Sequence, residues 1–100
     1  MSNSSAMNSA LLLIDMQKYF QNANPRIFYR KIIPNTKVIL DFSRRQGIEV
    51  IHIITKYKAD KSNWPNAFRD RETIWCLEGT EESEIIDGFA PQEGESLTGC

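Results

Sequence analysis

Leu11-Leu12-Leu13-Ile14 is an unbroken apolar run that ends in a carboxylate, Asp15. A stretch apolar at every position, and not at every second one, suits a strand buried on both faces, as in a parallel α/β sheet. A buried helix is the competing reading, but the run is short and turn-formers follow it at Gln21-Asn22-Ala23-Asn24-Pro25. Val50–Ile54 is again mostly apolar, broken only by His52, and predicts a second strand over 49–55. Between the two, Pro34 opens a helix that runs to about Gln46, because a first turn tolerates the missing proline N–H. Val38 and Phe42, four residues apart, and the neighbouring Ile39 form its expected apolar face. Arg44 and Arg45 suit the negative end of the helix dipole, and Gly47 suits the left-handed residue that ends it. Strand, helix, strand makes a βαβ unit with an expected right-handed crossover.

Residues 56–78 read as a long polar connection, of the kind that is functional or holds short helices. Thr80–Asp87 reads as a short helix, with Thr80 as its cap, Glu81 and Glu82 at its positive end and Gly88 closing it. Ala90-Pro91 is a break, and Gly94-Glu95-Ser96-Leu97 is a turn feeding a third strand. The expected partition is a tail over 1–9, with Met7 a candidate start, and a partial domain over 10–100.

Composition narrows the class. The chain has 100 residues, 41% of them hydrophobic and 25% charged, with 5 Gly and 4 Pro. That is one globular domain and excludes disordered, collagen-like and coiled-coil chains. A chain of this size can bury about 65% of its unfolded surface, so its core is possible but not generous. The longest apolar run is far below the ~18 residues of a membrane span. The first ten residues hold no Lys or Arg, unlike a secretory leader. Cys76 and Cys100 have neither a disulfide framework nor metal-type spacing. A cytoplasmic, reduced protein with no membrane partner is expected. The net charge of −1 hides an asymmetry: all 12 basic residues lie in 1–71 with five acids, and 72–100 holds eight acids and no base. The basic residues are scattered, with no aromatic-laced stripe, so no nucleic-acid partner is expected; the two halves face each other or face water.

In an open parallel sheet, ligands bind outside the carboxyl ends of the strands, where Asp15 sits. A carboxylate beside an apolar strand is costly to bury without a partner, so Asp15 is either a functional group or a loop cap bonded to backbone N–H groups. The segment Leu11-Leu12-Leu13-Ile14-Asp15-Met16-Gln17-Lys18-Tyr19-Phe20 resembles the opening of the isochorismatase-like cysteine hydrolases: an apolar strand, Asp-x-Gln, and a Phe three residues later. The likeness continues in order. Arg44-Arg45-Gln46-Gly47 and the strand after it resemble the family's first helix and second strand. Trp75-Cys76-Leu77-Glu78-Gly79-Thr80 resembles its aromatic-x-x-x-Gly-Thr element, and Pro91 with Gly94-Glu95 its Pro-x-x-Gly-Glu turn.

The resemblance implies a three-layer α/β/α, Rossmann-like parallel sheet in a domain of roughly twice this length, so that this chain is its N-terminal half and stops after about the start of strand three. It implies hydrolysis of C–N bonds in small amides, or of a vinyl ether, by an Asp-Lys-Cys triad. Only Asp15 carries over, as general base. The place of the lysine reads Thr98-Gly99-Cys100, and the nucleophile lies further on. Cys76 is expected to be a buried small hydrophobe, and Cys100 a mobile terminal residue.

Phe20 resembles the family's substrate-pocket aromatic, with core packing as the alternative; Gln17 is a weaker substrate-binding candidate that also suits holding Asp15 or nearby backbone. Nicotinamidases of the family hold a divalent metal through Asp and His after strand two and a His before Gly-Thr. Here Thr55-Lys56-Tyr57-Lys58-Ala59-Asp60 has no His and Trp75 stands at the later position, so no metal and no cofactor are expected. His52, inside strand two, reads as a satisfied core or interface histidine. Trp64-Pro65 reads either as part of a lid or pocket wall or as an apolar pin for its loop, and Arg69 and Arg71 either bind a substrate carboxylate or pair with nearby acids. Alone, the chain is expected to hydrolyse nothing; completed, it takes a small-molecule substrate. The rival reading is a non-catalytic module that pairs through its sheet edge with a full-length relative or a complementing chain. Two parallel strands with open edges imply a piece that is marginal, aggregation-prone, or dimeric.

Overall fold

β1 (Ala10–Ile14) and β2 (Glu49–Ile54) form at the two apolar runs, in a computed structural model that describes residues 8–99. Most of the expected tail, and Cys100, lie outside the described residues. β1 and β2 pair in parallel, Leu11 opposite Val50 and Leu13 opposite His52. β3 (Ser96–Gly99) pairs in parallel with the other side of β2, so the order is β1-β2-β3 with β2 central. This is the expected α/β class with a parallel sheet. Successive side chains alternate between faces. Leu13, Val50 and His52 lie buried on the face that packs against helices. Leu12 and Ile14 take the opposite face, where they remain 49% and 57% exposed. Over β1 that second face has no cover among the described residues.

The helical part starts earlier than expected. α1 (Lys18–Ala23) follows β1 directly, breaks at Asn24, and the chain resumes as α2 (Pro25–Ile27). The turn-formers at 21–25 thus mark a short interruption, because Pro25 is itself a good first helical residue. A π turn, Phe28–Ile32, then leads without a break into α3 (Ile33–Arg45). Pro34 therefore sits inside a continuous helical run and does not open it. The wide turn immediately before it is the usual way a helix accommodates such an interruption in its ladder.

The buried face of α3 also differs from the expected one. Val38, Ile39 and Phe42 are half or more exposed, whereas Leu40 and Ser43 are buried. Polar residues point inward because they have partners there. Lys37 Nζ donates to Gly88 O at 2.9 Å, and Arg44 reaches Ala90 O and Glu95. Hydrophobic spacing alone marks the outer stripe as the inner one. The core itself gathers Leu13, Met16, Phe28, Leu40, Val50, Ile86 and Phe89, with Phe20, Ile32, Ile33 and Ile85 at its margin.

The segment after β2 is held by small devices rather than long elements. Tyr57 bridges to Leu77, a single 3-10 turn forms at Asn66–Phe68, and Trp64 is buried with its indole N–H donating to Lys58 O at 2.7 Å. Trp64 is the expected pin. The expected helix over 80–87 is only one 3-10 turn, Glu81–Ser83. Thr80 does not cap it; its hydroxyl donates back to Leu77 O. Ile85 instead pairs antiparallel with Gln17, an association that a continued helix would prevent.

Arg44, Glu95 and His52 clasp α3, β2 and the turn before β3 together. Arg44 Nε and Nη2 donate to the two Glu95 oxygens at 2.7 and 2.9 Å, and His52 Nε2 lies 2.7 Å from Oε1. His52 is thus the satisfied core histidine expected. Lys18 meets Glu84 at 3.2 Å and Asp87 at 4.0 Å, so among the described residues Lys18 and Arg44 tie the basic part of the chain to the acidic part. No helix among the described residues is long and apolar enough to cross a membrane.

Candidate active site at the carboxyl end of β1

Asp15 is the first residue past β1. Its N–H still donates to Ile53 O at 2.9 Å, which continues the ladder for one step, but its φ of 60° turns the chain away from the sheet. Asp is among the few non-glycine residues that adopt this region readily. Thr55, one residue past β2, donates its hydroxyl to Asp15 Oδ1 at 2.9 Å. The carboxylate is half-buried and its second oxygen has no protein donor among the described residues. That leaves an acceptor oriented by one hydrogen bond and open on its other side.

Gln17 fixes the floor beneath. It is fully buried, and its amide joins three segments. Nε2 donates to Thr55 O at 2.8 Å and to Ser83 O at 2.7 Å, and Oε1 accepts from Thr55 N at 2.9 Å. Both amide hydrogens are therefore engaged with backbone, and no part of the side chain faces solvent. Phe20 is half-buried against the core and meets Tyr19 edge-to-face with ring centres 5.1 Å apart.

Cys76 enters this site from the far loop. It is fully buried and takes a φ of 53°, which is unusual for this residue type and stores strain. Burial pushes its thiol up to about 11, and the negative charges of Glu82 and Asp15 push the same way. A thiol in that environment stays protonated and is a poor nucleophile. Its expected role as a small buried hydrophobe is the one the geometry allows.

Beside Cys76, an aromatic cleft of about 290 Å³ is lined by Tyr19, Phe68, Arg71, Thr73, Ile74, Trp75 and Glu82. Trp75 is held edge-on by Tyr57 at 5.6 Å and by Phe68 at 4.9 Å. Tyr57 belongs to the segment after β2 and Trp75 to the segment before Gly79-Thr80, so rings from the two segments meet here. Among the described residues, no three His, Cys, Asp or Glu side chains converge as a metal centre requires.

Sequence reasoning found Asp15 but not Thr55, Glu82 or the cleft. Thr55 carries a usable signal, because the residue just past strand two lies beside the residue just past strand one in a parallel pair. Arg71 already reads in the sequence as a carboxylate binder or an ion-pair partner; Glu82 carries no such signal, since only the path of the loop brings it there.

A family model described as the isochorismatase domain matches residues 9–98. A solved structure, an isochorismatase family protein from Desulfovibrio vulgaris subsp. vulgaris str. Hildenborough, superposes with a TM-score of 0.71 at 24% sequence identity. The superposition covers 91% of this chain and 51% of that one, so the chain spans about half the length of the solved relative. No curated protein matches the chain. The family match covers nearly the whole sequence, and the parallel sheet agrees with it in fold: the chain belongs to the isochorismatase family.

Proposed function

We propose that the chain carries the general-base part of an isochorismatase-type hydrolase site, which acts on a C–N or related bond of a small molecule once the site is complete. The observation behind this is Asp15 itself: a half-buried carboxylate past the end of β1, with one oxygen held by Thr55 and the other free to take a proton. Within hydrogen-bond reach of a thiol or a water, such a group serves as a general base. Gln17 acts through the backbone it holds, keeping the ends of β1 and β2 in register, and does not touch substrate. Phe20 is a wall behind Tyr19. The lysine and the nucleophilic cysteine of the triad are supplied by the complementary half of the fold. Without them the 100-residue chain does not turn over substrate.

The test is a panel of small amides assayed with the chain alone and then with a polypeptide carrying the complementary half of the domain. Hydrolysis is expected only in the mixture, and Asp15→Asn is expected to abolish it. Turnover by the chain alone that disappears in Asp15→Asn overturns the inactive reading. A second reading, a non-catalytic module, draws on Leu12 and Ile14, which lie exposed on β1 at the open edge of the sheet. An apolar edge strand is a template for another chain. Stable binding of the complementary half without hydrolysis of any amide in the panel supports this reading over the first.

A further inference from the structure

Eight large hydrophobic side chains stay exposed among the described residues, and five of them lie on the helical run over 25–45: Ile27, Tyr29, Val38, Ile39 and Phe42. Ile27, Lys31, Val38, Phe42 and Arg45 follow one another at steps of 4, 7, 4 and 3, the spacing of one helix face. All five are exposed, while Phe28, Leu40 and Ser43 are buried on the side that meets the core. In a layered α/β domain such an outer stripe faces away from the sheet and is ordinarily polar. The same run holds six bases and one acid. Asp41 answers Lys37 at 3.7 Å, and Arg44 turns inward to Glu95. Arg26, Arg30, Lys31 and Arg45 stay exposed, and among the described residues no carboxylate meets them. Arg26, Arg30 and Lys31 surround an open groove of about 540 Å³ that Ala23, Pro25 and Ile27 also line.

We propose that this outer face docks on the surface of an anionic lipid bilayer, with Ile27, Val38 and Phe42 dipping into the boundary and the four cations on lipid phosphates. Apolar side chains interspersed with bases along one helix face are the pattern of a surface-bound helix. The run is about 30 Å long at ~1.5 Å per residue, so its contacts are spread along a line that a flat surface meets all at once. In the groove, a headgroup phosphate meets Arg26, Arg30 and Lys31 while the first carbons of its chains lie against Pro25 and Ile27. A second copy of the chain does not fit this face, because a two-fold contact sets the four cations against their own copies. The complementary half of the fold is not the occupant either. The sheet lacks a neighbour at the β1 edge and a cover on its second face, and α3 packs on the first. A run of carboxylates answers the cations but leaves the apolar stripe wet; an anionic lipid answers both. A helix lying on a bilayer needs no spanning segment, so the short apolar runs of the chain place no bar on it.

The experiment sediments the full 100-residue chain with vesicles of mixed phosphatidylglycerol and phosphatidylcholine, and separately with vesicles of phosphatidylcholine alone. The chain is expected to pellet with the mixed vesicles, less so as salt rises, and to stay in solution with the neutral ones. Arg30→Gln with Lys31→Gln is expected to weaken binding about tenfold or more, at ~fivefold for each base near an anionic surface. Phe42→Ser is expected to weaken it about fivefold through lost apolar burial. If Phe42→Ser does not fold, Val38→Ser repeats the test at a side chain that is 67% exposed. Leu97→Ser removes a similarly exposed apolar side chain from β3 and is expected to leave vesicle binding as it was. Equal binding to both kinds of vesicle, or none to the mixed ones, overturns the proposal. So does a loss in Leu97→Ser as large as that in Phe42→Ser, which marks general stickiness. Soluble polyglutamate that strips the chain from mixed vesicles at equal charge, with full vesicle binding by Phe42→Ser, assigns the face to an acidic polypeptide and overturns the lipid. Binding is read without turnover, so the outcome is separate from that of the hydrolase reading.

Discussion

Glu95→Gln removes one charge from the clasp that seats β3 and leaves the shape nearly unchanged. The magnitude comes from the clasp itself. The hydrogen bonds from Arg44 are the largest cause holding the Glu95 carboxyl down at about 2, with His52 and the Gln92 N–H adding to them, against an ordinary value of 4.5. A displacement of that size favours the folded, charged form by about 3 kcal/mol. The Glu95 and Arg44 side chains are only 10% and 16% exposed, so water screens the pair weakly. Breaking a buried pair by removing one partner costs about 3–5 kcal/mol, which brackets the same figure. Against a total stability of about 5–15 kcal/mol, Glu95→Gln is expected to lose about 3 kcal/mol at neutral pH and to lower Tm by about 10–20 °C.

The sign of the pH dependence follows from the depressed value. Glu95 is charged in the fold well below the pH at which it protonates in the unfolded chain. Its contribution is complete above about pH 5 and is lost as pH falls toward about 2. Urea melts of the native chain and of Glu95→Gln at a series of pH values check this. The two curves should lie apart at pH 7 and converge near pH 2. A gap of constant size from pH 7 to about pH 2 refutes an electrostatic clasp and leaves only a packing role. A gap below about 0.5 kcal/mol at pH 7 refutes the clasp altogether.

Gln17→Leu keeps the volume but strands Thr55 N, Thr55 O and Ser83 O in the interior, so a loss of about 3 kcal/mol in denaturant melts is expected, larger than for any exposed glutamine. In a Cys100→Ser chain, a thiol reagent at about pH 8 is expected to leave Cys76 unmodified until denaturant is added, and prompt reaction of the folded chain contradicts its burial. Asp15→Ala is expected to change nothing in the amide panel assayed with the chain alone. The chain is expected to self-associate as concentration rises, and Leu12→Ser with Ile14→Ser to shift sedimentation toward monomer; a sharp, concentration-independent melt of a monomeric native chain contradicts this.

The local signals were strongest where one physical requirement dominates. The apolar run at 11–14 and the mostly apolar one at 50–54 favour strands of a parallel sheet, and both strands lie there, although Leu12 and Ile14 of β1 stay about half exposed where burial on both faces was expected. Gly47 ends the helical run with a φ of 71°, a conformation that favours glycine. Asp15 was legible as a site candidate because a carboxylate at that end of a parallel sheet is costly to place without reason. The ordered motifs from Asp15 to Glu95 were legible as a family.

Other features depended on residues far away in sequence. The stripe of α3 nearest the core is polar at Ser43 and Arg44 and flanked by Lys37, and only the arrival of Gly88, Ala90 and Glu95 gives Lys37 and Arg44 their partners. Periodicity therefore selected Val38, Ile39 and Phe42, which face outward. Ser83 holds its 3-10 turn against Gln17 across 66 residues, and no propensity of 80–87 announces that. Arg69 and Arg71 read alike in sequence; the loop's path sends one to the Trp64 backbone and the other onto the Phe68 ring. The sequence by itself determined the elements whose burial is a property of their own residues. The tertiary structure decided every feature in which a polar group needs a partner, because hydrogen bonds and ion pairs are short-ranged and directional, and the partner's place is set by the whole fold.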